Sequence, residues 1–406
     1  MKNMRAKRLV VAATSAAILV SGLVVTTAPA QAASKICTAT DLKSAGGMDA
    51  LVKAAKAEGE LNIITVPRDW ANYGEAIDIF TKAFGIKIND DNPEGSSAYE
   101  IQTIKTVKDP MKQPDAVDIG ISVLPDALGI GRKSLFTPYK VATWNDIPSV
   151  WKDSNGLWYG DYYGVLAITY DGSLSKAPKS IKELTTDPAY KGALALSGDP
   201  TASQQALMSM FAFAAANGGG VDNIMPGIEA IKGAKANGNF VSVTGNSANY
   251  AAGAYKASLS WDFNGPGGIA SAKTIGKDLH FVMPTDVALQ GTPYLQAINA
   301  KAPHCAAARL WEEYLYSQKI GKSSMDITAA DKKLSGSKLF DLLMGGQNIW
   351  RSGAAHPITE AAMIKKKTIV EAPAGFAIPK TAKIVAPDPD QQTAQKAVLV
   401  TEWPKI

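Results

Sequence analysis

The 406-residue sequence is poor in the side chains that usually carry catalysis or metal chemistry. It has three histidines, His280, His304 and His356, and two cysteines, Cys37 and Cys305. H-E-x-x-H, C-x-x-C, G-x-S-x-G and G-x-x-x-x-G-K-[ST] are all missing, so metalloprotease, dithiol, nucleophile-elbow and P-loop readings lose their usual support. Gly265-Pro266-Gly267-Gly268 does not open a helix after a first strand in the dinucleotide-binding pattern. Excess charge is also scarce. The formal net charge is +5, and Lys2, Arg5, Lys7 and Arg8 supply four of it with no acid in the first 32 residues. The remainder is close to neutral, which removes the electrostatic footprint of nucleic-acid binding. Long apolar runs are absent beyond residue 25, so nothing later in the chain reads as a membrane span.

What is present is a core-forming composition. Hydrophobic residues make up 46% and charged residues 19%, which excludes wholesale disorder and, at this length, favours two domains. The N-terminus has a basic stretch, an apolar run over residues 9–25, and Ala30-Gln31-Ala32 in the A-x-A pattern. This is the layout of a secretory signal peptide over residues 1–32, cleaved after Ala32. Ser34-Lys35-Ile36 before Cys37 is a poor lipoprotein box, so no lipid anchor is expected. Both cysteines would then be exported, where one disulfide or two free thiols are possible; spacing alone does not choose.

Helical periodicity is seen over residues 41–57, 72–84, 204–216, 224–236 and 306–316, with a further helix opening at Ser96-Ser97. Short β-branched runs lie at 61–66, 86–88, 116–121, 165–170, 193–196, 239–243, 257–261 and 281–283. Their alternation predicts βαβ units and a parallel sheet. Residues 321–345, rich in Lys, Ser, Gly and Asp, read as an inserted or mobile stretch.

Several words stand at the ends of the expected strands. They are Val66-Pro67-Arg68-Asp69-Trp70, Pro93-Glu94-Gly95-Ser96-Ser97, Asp115-Ala116-Val117-Asp118 and Tyr162-Tyr163-Gly164. Gly198-Asp199-Pro200-Thr201, Ser260-Trp261-Asp262, the run from Ala297 to His304, and Gly346-Gln347-Asn348-Ile349-Trp350 follow. In order and spacing they resemble an extracellular solute-binding protein of an ABC transporter, in the cluster that includes spermidine/putrescine, ferric-iron and aminoethylphosphonate binding proteins. The resemblance covers residues 58–357. It implies an α/β, two-lobe periplasmic-binding-protein-like fold (type II), with two crossing segments forming a hinge near residues 167–173 and 283–288. Lobe one would hold residues 33–168 and 288–406, and lobe two residues 169–287. Cys37 and Cys305 would then share lobe one, which favours a disulfide. It further implies a small-molecule solute, ABC permease subunits as partners, a monomer, no cofactor, and a place in the periplasm or at the cell surface.

The residues themselves suggest how a solute would be held. Asp69-Trp70 and Trp261-Asp262 each set a carboxylate beside an indole, a natural receptor for an alkylammonium. Trp70 could equally pack on its lobe, and Asp262 could pair with a basic side chain such as Arg68. Asp118 could meet an ammonium group or hold a turn. Ser96, Ser97, Thr201 and Asn246 stand at helix starts, where they either cap the helix or cradle an anion or hydroxyl. Of the adjacent tyrosines, Tyr163 is expected to line the cleft and Tyr162 to pack elsewhere, since neighbours on a strand face opposite ways. Tyr294 could reach the cleft or pack at the hinge. An aromatic and acidic cleft of this kind favours a polyamine-like or other small cationic amine. A phosphonate or similar anion, aided by Arg68, is the next reading and ferric iron the third. A secreted hydrolase or lyase is the competing class.

Overall fold

The computed structural model describes residues 35–129 and 133–406. The signal peptide expected over residues 1–32 lies outside them. Two sheet systems carry the fold. In the first, Glu60–Ile64 pairs in parallel with Lys87–Asp91. Beside it, Leu295–Asn299 runs antiparallel to Ala116–Ile119, to Phe136–Thr137 and to Tyr159–Gly160. The Asp115 N–H donates to the Asn62 carbonyl at 2.7 Å and joins the two groups of strands. The second sheet has five strands, in the order Leu279–Val282, Leu166–Asp171, Ala257–Trp261, Leu194–Leu196, Phe240–Thr244.

Neither system is the uniform parallel sheet that strand–helix alternation predicts. Leu166–Asp171 is antiparallel to both neighbours, and Leu295–Asn299 is antiparallel to all of its own. Each of these strands follows a passage from one sheet system to the other, so it enters against the direction of the local βαβ units. The two passages touch: Val165 bridges Gln290, and the Gly291 N–H donates to the Gly164 carbonyl at 2.8 Å. They meet a few residues away from the expected positions. A Cβ at Gly164 would lie 2.7 Å from the Phe263 ring, and one at Gly291 would lie 2.7 Å from the Trp261 ring. The hinge is therefore packed directly against two aromatics of the second sheet system.

Two further departures have local causes. The helix expected over 41–57 begins only at Met48 and runs Met48–Glu58. Asp41 and Ser44 close a turn on each other first, with the Ser44 N–H donating to Asp41 Oδ1 at 2.7 Å. Residues 321–345 are not a loose insertion. Glu75 accepts from the Ser324 N–H and hydroxyl, both at 2.7 Å, Asp49 accepts from the Ser337 N–H at 2.7 Å, and Leu339 and Phe340 are buried. The stretch is polar because its polar atoms bond to two helices of the first system.

The helix Cys305–Leu315 is buried along its whole length. Glu58 accepts from the Ala306 and Ala307 N–H groups at its start, which suits the positive end of a helix dipole. Cys37 and Cys305 form a disulfide with Cα atoms 5.2 Å apart, within the ordinary range. The C-terminal tail goes elsewhere. Lys383–Val385 pairs in parallel with Val287–Leu289, and the helix Pro389–Glu402 bonds to Gln204, Asp222 and Ile224. The division read from sequence groups the tail with the first lobe, whereas Lys383–Val385 pairs with Val287–Leu289 at the boundary and Pro389–Glu402 bonds to residues 204, 222 and 224 of the second.

Candidate functional site

The carboxyl ends of the strands Glu60–Ile64 and Ala116–Ile119 point toward the loop that follows Ala257–Trp261 in the second sheet system. Open α/β sheets place ligands at such ends. Trp70 lies in the loop after the first of these strands. Its ring meets Phe263 edge-on at 5.8 Å and Tyr294 at 5.5 Å. Phe263 stacks in turn on Trp261 at 6.2 Å and meets Tyr162 at 5.5 Å. The backbones also approach closely, since a Cβ at Gly267 would lie 2.5 Å from the Asp69 carbonyl oxygen. The two lobes are thus closed on an aromatic seam to which each contributes.

Beneath the seam sits Asp118. Its Oδ2 accepts from the Tyr73 hydroxyl at 2.7 Å and the Tyr162 hydroxyl at 3.1 Å. Its Oδ1 is buried and has no partner. Burial pushes its carboxyl up to about 6, against the pull of the two phenols. Behind it stands Glu100, wholly buried, with Oε2 accepting the Asp118 N–H at 3.2 Å and Oε1 without a partner. Burial and the neighbouring Asp118 charge raise the Glu100 carboxyl well above the usual range. Tyr294 stands near both, because burial first and then Asp118 and Glu100 hold its phenol protonated. No Lys, Arg or His forms an ion pair with either carboxylate among the described residues. The cavity beside Asp118 measures only about 10 Å³ and is lined in part by Tyr73, Val117, Gln296 and Trp311. That is the space of about one water.

The other residues singled out in the sequence are placed as follows. Asp262 is fully buried and engaged on both oxygens: Oδ1 accepts from the Val165 and Phe263 N–H groups at 3.0 and 2.9 Å, and Oδ2 bonds His356 Nε2 at 3.1 Å. Its basic partner is His356 rather than Arg68, whose guanidinium bonds Asp78 at 2.7 Å. Trp261 is buried behind Phe263, so Phe263 is the ring that faces Trp70. The tyrosine pair alternates as expected but with the faces exchanged. Tyr162 turns to Asp118 and stacks on Tyr294 at 5.4 Å, while Tyr163 stacks on His356 at 5.1 Å. The pairing of His356–Pro357 with Tyr162–Tyr163 sets that register. Ser96 caps a helix by accepting the Tyr99 N–H, and Ser97 Oγ accepts the Gly120 N–H at 2.9 Å. The Thr201 hydroxyl donates to Asp199 at 2.6 Å, and Asn246 caps by accepting the Asn249 N–H at 2.9 Å. Asp69 is exposed at the rim.

Glu100, Phe263, Tyr73 and Tyr162 join the site although sequence reasoning did not single them out for it. Ser97 and Glu100 have the spacing of a capping box, which reads as helix-start chemistry. Here the carboxylate turns inward instead, to the Asp118 N–H.

The model of the family described as bacterial extracellular solute-binding protein matches residues 117–335. Among solved structures, the periplasmic binding protein AfuA from Actinobacillus pleuropneumoniae, with fructose-6-phosphate bound, has a TM-score of 0.54 at 17% identity, covering 85% of this chain and 98% of that one. The apo ferric ion-binding protein A of Pasteurella haemolytica has a TM-score of 0.53 at 15% identity, covering 86% and 97%. AgtB from A. tumefaciens R10, in complex with agropinic acid, has a TM-score of 0.51 at 15% identity, covering 86% and 98%. No curated protein matches this chain. A two-lobe fold with an interlobe seam and a family model spanning more than half of the chain lead to one conclusion: the chain belongs to the bacterial extracellular solute-binding protein family.

Proposed function

We propose that this protein captures a small cationic amine between its lobes outside the cytoplasmic membrane and presents it, chemically unchanged, to an ABC permease. Solute binding for ABC transport follows from the family. The structural neighbours bind a sugar phosphate, iron or agropinic acid, as their names state, so the charge of the solute has to be read from this cleft. One observation carries the amine reading. Two buried carboxyl groups, Asp118 and Glu100, keep an oxygen each that no group among the described residues partners, under an aromatic seam and with no basic side chain of those residues paired to them. A buried carboxylate without a counter-charge is costly. An ammonium brought by the solute supplies that counter-charge, and Trp70, Tyr294 and Phe263 add aromatic faces for cation–π contact.

The anion reading finds less support. The hydroxyls and carboxamide meant to donate to it are engaged in caps and turns, and Arg68 is paired with Asp78. For iron, three acidic, histidine or cysteine ligand atoms within 4.8 Å of one another occur, among the described residues, only at Cys37, Glu58 and Cys305, away from this seam.

A thermal-shift screen of the purified mature protein tests the reading, with putrescine, spermidine, aminoethylphosphonate, ferric citrate and glucose as probes. A tight binder held at a thousandfold over its Kd adds about 4 kcal/mol of apparent stability. The amines are expected to raise Tm and to be recovered intact. A shift with aminoethylphosphonate and none with either amine overturns the reading, and consumption of a probe would move the protein to the enzyme class.

A further inference from the structure

We propose that Glu100 and Asp118 form one charge-reading pair, holding a shared proton in the unliganded protein and releasing it to water when a cationic amine takes its place. This rests on the amine reading of the same cleft. Glu100 has none of its surface exposed and Asp118 only 7%. The two are joined by the 3.2 Å bond from the Asp118 N–H to Glu100 Oε2, and each keeps one oxygen without a partner. Two carboxyl groups buried in one place cannot both stay ionised without a counter-charge.

Among the described residues, the groups that face the pair do not provide one. The helix Tyr73–Phe84 contributes the Tyr73 phenol, and the strand Tyr162–Tyr163 contributes the Tyr162 phenol. Tyr294 contributes a third phenol. The strand Lys87–Asp91 brings Asp90, itself raised to about 6 by burial first and then by Asp91 and Glu94. Asp161 and, from the helix Cys305–Leu315, Glu312 add the influence of further acids. All of these groups are acids or neutral phenols. Burial raises both carboxyls, and the Asp118 charge raises Glu100 further, so the first proton to settle on the pair is held against a second negative charge.

The exchange balances. A carboxyl O–H bond breaks, its proton leaves to water, and the arriving ammonium keeps its own protons and takes over as counter-charge. The proton and the amine compete for one place, so capture strengthens as pH rises and weakens as pH falls. Glu100 selects for charge: a neutral isostere of the amine has nothing to exchange.

The experiment has two arms. The first is ligand-free: infrared difference spectra and carboxyl carbon NMR of ¹³C-labelled protein near neutral pH, for the wild type, Glu100→Gln and Asp118→Asn. Asp161 and Glu312 are raised too, so the expected result is one protonated carboxyl component of the wild type that is missing from Glu100→Gln. An unchanged carboxyl spectrum in folded Glu100→Gln overturns the inference, and the calorimetric arm on the wild type decides it if the variant does not fold. The second arm is calorimetry of putrescine at about pH 6 in buffers of different ionisation heat. Release of about one proton is expected. Putrescine binding without proton release overturns the exchange while leaving the amine reading intact. If putrescine neither binds nor shifts Tm, the amine reading falls, and the exchange with it.

Discussion

Asp118 and Asp262 look alike in the sequence, since each ends or adjoins a strand, yet folding gives them different roles. Asp262 meets His356, and the bond from His356 Nδ1 to Glu360 at 3.4 Å extends the chain of charges. Its carboxylate joins the second sheet system to the segment that pairs with Tyr162–Tyr163. That partner is 94 residues away in sequence, so no local pattern could reveal it. Asp118, by contrast, keeps a free oxygen. Asp118→Asn is accordingly expected to weaken putrescine binding more than tenfold by calorimetry, an effect of at least about 1.4 kcal/mol. Unchanged affinity would remove Asp118 from the site. Asp262→Asn belongs to stability instead. The neighbouring carboxylates hold the His356 imidazole up to about 9 against burial, from an ordinary 6.5. A group raised on folding stabilises fully below its unfolded value and loses that contribution as pH rises through the folded one. The wild type should therefore lose on the order of 3 kcal/mol between about pH 6.5 and 9. Asp262→Asn should be less stable near neutral pH and show a shallower slope. Tm measured against pH in both proteins decides it, and equal slopes would refute the pairing.

At the scale of elements, what could be read was what depends on near neighbours. The helix Gln204–Ala216 and the strands Leu194–Leu196 and Ala257–Trp261 lie at or within a residue of the spans periodicity predicts. Strand direction was not legible, because period-two alternation is the same whichever way a strand enters its sheet. The 321–345 stretch misled for a related reason. Its polarity satisfies Glu75 and Asp49, helix residues about 250 to 290 positions distant in the chain. The disulfide is an element-scale tie of the same kind, closing a separation of 268 residues between the helical turn at residues 35–37 and the start of Cys305–Leu315. Replacing Cys37 and Cys305 together with serine is expected to cost roughly 2–5 kcal/mol, mostly by releasing the unfolded chain. The same loss should appear on adding a reductant to the wild type. A Tm unmoved by either treatment would show that the bridge contributes no stability.

At the scale of the whole molecule the tail matters most, and it was the least legible part. Residues 383–402 lie beyond the words that carry the family resemblance, and nothing in their composition says which lobe they cover. Their contacts answer that. Gln392 accepts from Gln204 at 2.8 Å, Gln395 accepts the Ile224 N–H at 3.0 Å, and Leu399 is fully buried. On the way, Phe376 packs against Phe281 at 6.2 Å, and the Asn348 side chain bonds to Thr368 and Val370 on the other side of the molecule. The chain between residues 368 and 383 thus passes from one lobe to the other beside the two hinge passages. A third passage anchored on both sides is expected to shorten the range over which the lobes part. It also raises the cost of exposing the Trp70–Phe263 seam. Leu399→Asp would bury an unpaired charge and detach the tail helix, at a cost of several kcal/mol. A chain ending at residue 382 would remove the restraint without that charge. Both are expected to lower Tm, and the shortened chain should show a larger radius of gyration in solution scattering without ligand. A shortened chain as compact as the full one would mean that Gly164, Val165, Gln290 and Gly291 alone set the opening. The aromatic seam would then close by its own contacts, with no help from the tail.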